Sequence, residues 1–385
     1  MPSGAVKVGM GWDCAIAPAP AFLAVGLPGP VGAAGAGERN NPVGRGPALG
    51  KNARSARRWE GQGLDVFVCA GCEAVLSAPV ARVALPVHAR QRWGHSLMPV
   101  LMESGTYAVD PEPGGPAGAA VLAPGDLRGA VLLPERCDGC CGSAGGDGPN
   151  LACVRCGLPV ATRVDDCGYW QEVWCDPGAT RIVPGEAAEA PSRWAELAEE
   201  CAPLPPVAPE GWWDPRWAAA VGAALAGVVA LSGGRPVAVE PGPLAVTLGR
   251  AVDALLPPGP PGRTVVPAGP GLPVPEDPRA LAVVPVHPRT GEVWPCPGGV
   301  DGVPLDAAVW LHVARGPDEP PHPAAGRVPA GVHRDEPLPL RPLTLFRADL
   351  DVFLRTLSRL PAFHEPWLRR IHEEVRGRGY AGAPF

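Results

Sequence analysis

At 385 residues and 46% hydrophobic composition, the chain is long enough for two domains with sizeable cores. Gly (51) and Pro (53) together exceed a quarter of the residues, a level that brings long irregular loops. The net charge is only −6, and residues 61–183 (eight Arg, thirteen acidic) and 184–385 (18 basic, 23 acidic) are each acidic, which argues against nucleic acid as a partner because phosphate binding calls for a basic face.

Residues 1–60 mix Ala, Gly and Pro without periodicity and read as a disordered tail, with a basic cluster at Lys51, Arg54, Arg57 and Arg58. A signal peptide needs an unbroken apolar run, which Asp13, Pro18, Pro20, Pro28 and Pro30 interrupt. The expected setting is therefore cytoplasmic, where clustered cysteines point to metal rather than to disulfides.

Pattern begins near Leu64. The first expected domain, residues 61–183, holds nine of the 12 cysteines, six of them in three Cys-x-x-Cys pairs: Cys69/Cys72, Cys137/Cys140 and Cys153/Cys156. Such pairs are the spacing by which thiolates gather around zinc. A faint internal repeat strengthens the reading. Val68-Cys69-Ala70-Gly71-Cys72, followed by Leu76 and Val80, matches Ala152-Cys153-Val154-Arg155-Cys156, followed by Val160 and Val164. Each copy reads as a knuckle, a tight turn whose amides point at the two sulfurs, leading into a strand. Two knuckles brought together complete a four-sulfur site, so Cys69, Cys72, Cys153 and Cys156 are the first expected zinc ligands. The roughly eighty residues between them cost little, because loop-closure entropy grows only logarithmically.

A second site draws on Cys137, Cys140 or Cys141, and Cys167, with His88 or His95 as a fourth ligand; spacing alone leaves swapped pairings open. Thioredoxin-type redox chemistry needs a helix after its cysteines, which Pro79 and Pro159 discourage. The polar run His88, Arg90, Arg92, Trp93 and His95 reads more simply as a surface loop after a Val-rich strand at 80–87 than as a site. Asp165-Asp166, adjacent on one chain, reads as a solvated turn rather than an acid/base pair. Residues 107–110 and 129–133 are further strand candidates.

The runs Glu135-Arg136-Cys137-Asp138-Gly139, Gly148-Pro149-Asn150-Leu151-Ala152-Cys153 and 160–167 resemble an uncharacterised cysteine-rich family of actinobacteria, over roughly residues 66–183. The resemblance implies no activity. It does imply a second pair spaced Cys-x-x-x-Cys, which corresponds here to Cys137 and Cys141 and makes Cys140 the departure.

Past Pro184 helical signals appear, and residues 184–385 form the second expected domain. A short helix is expected within 192–201. Asp214-Pro215 is a cap followed by Pro at the first helical position, opening a helix through Leu231 that is apolar nearly all round. It is too short to cross a bilayer and reads as a core helix. A strand at 237–240, a helix at 244–256 and a strand at 264–266 suggest a β-α-β element, with further strands at 281–286 and 308–313. Phe346, Leu350, Phe353, Leu357 and Leu360 form one helical stripe that Pro361 ends, and a second helix follows from His364. The stripe suits a core, or a homodimer interface.

The fold class expected is α+β: a zinc-ribbon-like β module, then an α/β-type domain with a C-terminal helical pair. No phosphate-binding loop, His-Glu-x-x-His helix or Gly-x-Ser-x-Gly elbow is present. The expected function is that of a zinc-binding protein with a structural metal that binds a protein or small ligand. The alternative is an enzyme with an open Cys/His zinc position.

Overall fold

The structure is a computed structural model that describes residues 63–111, 118–185, 194–208, 211–316 and 342–379. The expected tail at 1–60 lies outside them. The fold is mixed α+β, with several sheets and, among the described residues, six helices.

The cysteine-rich half is built from short strands. β1 (Val66–Cys69) pairs antiparallel with β9 (Thr180–Val183), so residues more than a hundred positions apart form one ribbon. Beneath it lies a seven-stranded sheet of β2 (Ala81–Arg82), β3 (Thr106–Val109), β4 (Ala120–Leu122), β5 (Ala130–Leu132), β6 (Leu151–Cys153), β7 (Pro159–Val164) and β8 (Glu172–Cys175). Its order is β2-β3-β4-β8-β7-β6-β5, antiparallel except between β2 and β3. The period-2 alternation of strands decides which face each side chain takes. Tyr107, Ala120, Leu122, Val160 and Val173 pack with Phe67, Leu76 and Val80, whereas Ala108 and Val121 turn to Met98, Leu101, Met102 and Trp170. Both faces are therefore buried. The expected strand at 80–87 shrinks to Ala81–Arg82, because the chain turns away at Pro86.

The second half holds a parallel sheet of β10 (Val237–Val239), β11 (Arg263–Pro267), β12 (Leu281–Val286) and β13 (Asp301–Asp306), in that order. β12 is apolar along its whole length, as a strand covered on both faces must be. Val265, Leu281, Val283, Val303 and Leu305 join the helical core, and Ala280, Ala282, Val284 and Val300 pack on the other face.

The six helices among the described residues all belong to this half. α1 (Leu197–Glu200) continues a 3₁₀ turn from Trp194. α2 (Pro215–Leu231) starts where Asp214 accepts from the Arg216 amide, and buries twelve of its 17 residues against β13 and a later helix. The expected helix at 244–256 is a π turn, Ala245–Gly249, running into α3 (Arg250–Leu255).

The expected strand at 308–313 is instead helix α4 (Ala307–Arg315). Val309 and Val313 lent it a β-branched look. Asp306, which ends β13, accepts from the Ala308 and Val309 amides and caps a helix there. The strand lies just upstream, where Gly302 and Pro304 hid it; Pro304 is tolerated because β13 is the sheet's edge.

The C-terminal pair is α5 (Leu350–Leu357) and α6 (Pro366–Arg378). α5 is shorter than its apolar stripe because Asp349 caps it by accepting from the Val352 amide. Phe346 lies ahead of the helix and packs edge-on against Trp213. Leu350, Phe353 and Leu357 face the core. At Gly222 of α2 a Cβ would sit 2.7 Å from the Asp349 carbonyl oxygen, so glycine permits the approach of α5.

The two halves are joined within one compact unit, residues 50–385. Gln91 donates to the Pro215 carbonyl (2.8 Å) and to Asp349 Oδ2 (2.9 Å), and the Ala84 amide donates to the Pro288 carbonyl. Among the described residues no helix is long and apolar enough to cross a membrane.

Candidate metal centre

The repeat seen in the sequence is a repeat of backbone geometry. In the first knuckle the Cys69 amide donates to the Ala74 carbonyl and the Glu73 amide to the Cys69 carbonyl. In the second, the Cys153 amide donates to Leu158 and the Gly157 amide to Cys153. The residue after each second cysteine, Glu73 (φ +59°) or Gly157 (φ +75°), takes a left-handed conformation that closes the turn. Gly71 lies against the site, where a Cβ would reach to 3.3 Å of Leu158.

The knuckles face each other crosswise. Cys69 Sγ lies 3.6 Å from Cys156 Sγ and Cys72 Sγ lies 3.7 Å from Cys153 Sγ, and all four sulfurs fall within 4.8 Å of one another. A disulfide would require about 2.05 Å. A zinc ion bound to four sulfurs at about 2.3 Å gives tetrahedral edges of about 3.8 Å, close to the spacing found. Cys69 and Cys153 are buried, whereas Cys156 is exposed. Burial opposes ionisation of Cys153, but the Cys156 and Arg155 amides aimed at its sulfur outweigh it and bring the thiol down to about 7. At Cys156 the Leu158 amide favours the thiolate, yet the Cys72 sulfur, burial and the sulfurs of Cys69 and Cys153 push it up to about 12. Several thiolates this close need a cation among them.

A second group gathers Cys140, Cys141, Cys167 and Asp166. Cys140 Sγ is 3.7 Å from Cys141 Sγ, 3.2 Å from Cys167 Sγ and 3.5 Å from Asp166 Oδ1. Carboxylates shape the surrounding loops. Asp138 accepts from the amides of Ala144, Gly145 and Gly146, and Asp165 accepts from the Ser143 amide. Asp166 is buried and accepts from the Cys141 amide at 2.6 Å, which holds its carboxyl below the usual range. Asp166 is not part of a solvated turn, as the sequence had suggested; the pointer to it was its position directly before Cys167.

Of the expected second-site residues, Cys141 and Cys167 come together and Cys140 joins them. Cys137 stands apart, with its thiol toward the Leu133 carbonyl. Neither group includes a histidine. His95 is exposed. His88 is packed 4.6 Å from the Trp170 ring, and burial, reinforced by Arg216, lowers its pKa to about 3, so it is neutral.

His88 lines a cleft that no local sequence pattern announces. Together with Leu101, Met102 and Glu103 it borders two cavities of about 300 and 560 Å³. The opposite wall comes from Ala220 and Ala223 of α2 and from Val286 and Asp306 at the carboxyl ends of β12 and β13, the end of a parallel sheet where ligands bind.

Comparison with known proteins gives no match: no family model fits the chain, and neither a curated protein nor a solved structure matches it.

Proposed function

We propose that the protein is a zinc-stapled binding module, in which a zinc-ribbon-like pair of knuckles fixes the cysteine-rich half and the cleft beside His88 receives a small, largely apolar ligand. One observation carries the metal assignment: the four sulfurs of Cys69, Cys72, Cys153 and Cys156 lie within 4.8 Å of one another, and the two crosswise pairs stand near the edge length of a zinc–sulfur tetrahedron. Four thiolates leave no open coordination position, so this zinc is structural. A neutral His88 and apolar walls support the ligand reading.

The second sulfur group supports a further reading. Cys140 and Cys141 are exposed, and the group offers three sulfurs with a carboxylate beside them. A zinc held there by the three sulfurs alone would keep a fourth position for water or substrate, as the enzyme alternative requires, with Asp166 in place of a histidine next to it.

The test is metal content of the full chain purified without chelator, by native mass spectrometry and X-ray absorption. One zinc in an all-sulfur shell near 2.3 Å, lost in Cys69→Ser, is the expected result. A second zinc lost in Cys140→Ser, whose shell still holds an oxygen in Asp166→Ala, would favour the open site. A metal-free protein with intact disulfides overturns both readings.

A further inference from the structure

A cavity of about 250 Å³, separate from both sulfur groups, lies between β8, the segment 89–92 and Arg355 of α5. Its walls are mostly polar and aromatic. Three buried side chains that line it each carry a polar atom with no partner among the described residues: Gln91 Oε1, Trp170 Nε1 and Glu172 Oε2. These residues are 2%, 3% and 7% exposed. Leaving a buried polar atom unpaired is costly, so three on side chains that line one cavity call for an occupant.

The chemistry of that occupant follows from the atoms. Gln91 donates from Nε2 to two acceptors, Pro215 O and Asp349 Oδ2, which fixes its amide so that Oε1 requires a donor. Trp170 Nε1 only donates and requires an acceptor. Glu172 takes a hydrogen bond from Trp174 and presents its other oxygen; burial first of all pushes its carboxyl up to about 8, against the pull of Trp174 and Arg90. Arg92 lies 4.7 Å over the Tyr169 ring, and among the described residues its guanidinium makes no hydrogen bond or ion pair. Arg90 is already paired with Asp110. One wall therefore seeks an anion, and the other, an amide oxygen beside a buried carboxyl that an arriving cation would ionise, seeks an N–H donor. At about 30 Å³ per water the space equals about eight waters, enough for a molecule of that many non-hydrogen atoms.

We propose that this cavity binds a small zwitterion with a carboxylate and an ammonium, the class of free amino acids. The carboxylate meets Arg92 and Trp170 Nε1, and the ammonium meets Gln91 Oε1 and Glu172, with Trp174 as an aromatic wall. The site is independent of the metal assignment and shares only Trp170 with the cavities beside His88.

The experiment is calorimetric titration of the metal-loaded full chain with each common L-amino acid, and with acetate, inorganic phosphate and methylamine as separate probes. Expected is saturable binding of at least one amino acid tighter than about 1 mM, with none of the three fragments matching it. Glu172→Gln and Arg92→Ala should each weaken it at least about tenfold, with metal content kept and the thermal midpoint of Glu172→Gln no lower than the parent's. Three results overturn the proposal: no amino acid binds, acetate or phosphate binds as tightly as any amino acid, or both variants bind like the parent.

Discussion

Replacing Glu172 with Gln isolates the energetic consequence of burying a carboxyl in β8. Its folded-state pKa is raised to about 8 from 4.5, chiefly by burial. Below pH 4.5 both folded and unfolded chains carry the proton, and the group contributes no difference. Between pH 4.5 and 8 the unfolded chain has ionised while the folded chain still holds its proton, so stability falls by about 1.4 kcal/mol per pH unit. The loss then levels off above pH 8, at a ceiling of about 5 kcal/mol. Gln has the same shape and no such titration. Urea unfolding of parent and Glu172→Gln proteins at pH 6.0 and 7.5, each metal-loaded, reads the difference directly. The variant's advantage should grow by about 2 kcal/mol across that interval, and because both proteins lose metal alike, the comparison cancels the sulfur sites. Parallel stability curves would refute the reasoning and show that Glu172 ionises in the folded protein as it does in water.

Two further changes probe the parallel sheet. Asp306→Ala removes the acceptor for the Ala308 and Val309 amides and should cost about 1–2 kcal/mol by denaturant unfolding, whereas Asp306→Asn, which keeps a capping oxygen, should recover most of it. Gly269→Ala places a Cβ 2.2 Å from Cζ2 of Trp310, whose indole donates to the Ala268 and Val283 carbonyls; a loss of at least about 3 kcal/mol and a shifted tryptophan emission are expected, and an unchanged midpoint would show that Trp310 packs elsewhere.

What the sequence made legible was local. The knuckles are six-residue turns whose hydrogen bonds close within themselves, so their spacing is written in consecutive positions. The caps at Asp214 and Asp349 act over two or three residues; the first was read correctly and the second bounds a stripe that looked longer. What stayed hidden depends on distant partners. Asp166 owes its burial to the Cys141 amide 25 residues away, and the cleft beside His88 exists only because segment 83–103 packs against α2 and the ends of β12 and β13. At 308–313 the β-branched side chains of Val309 and Val313 outweighed a cap at Asp306 that should have been decisive.

The crosswise sulfur group ties together cysteines 87 and 81 residues apart in the chain. During synthesis at about 5–20 residues per second, Cys69 waits roughly 4–17 seconds before Cys156 exists. Throughout that interval the first knuckle offers two thiols, too few for a tight site, while the intervening strands are still emerging. A metal ion at this position would tie β1 to β6 before β7 and β8, the strands that link β6 to β4, have been made. Chains stalled or truncated before residue 156 would be left with a reactive dithiol and no means of closing it, which makes completion of the second knuckle a natural checkpoint between a nascent chain and a stable one.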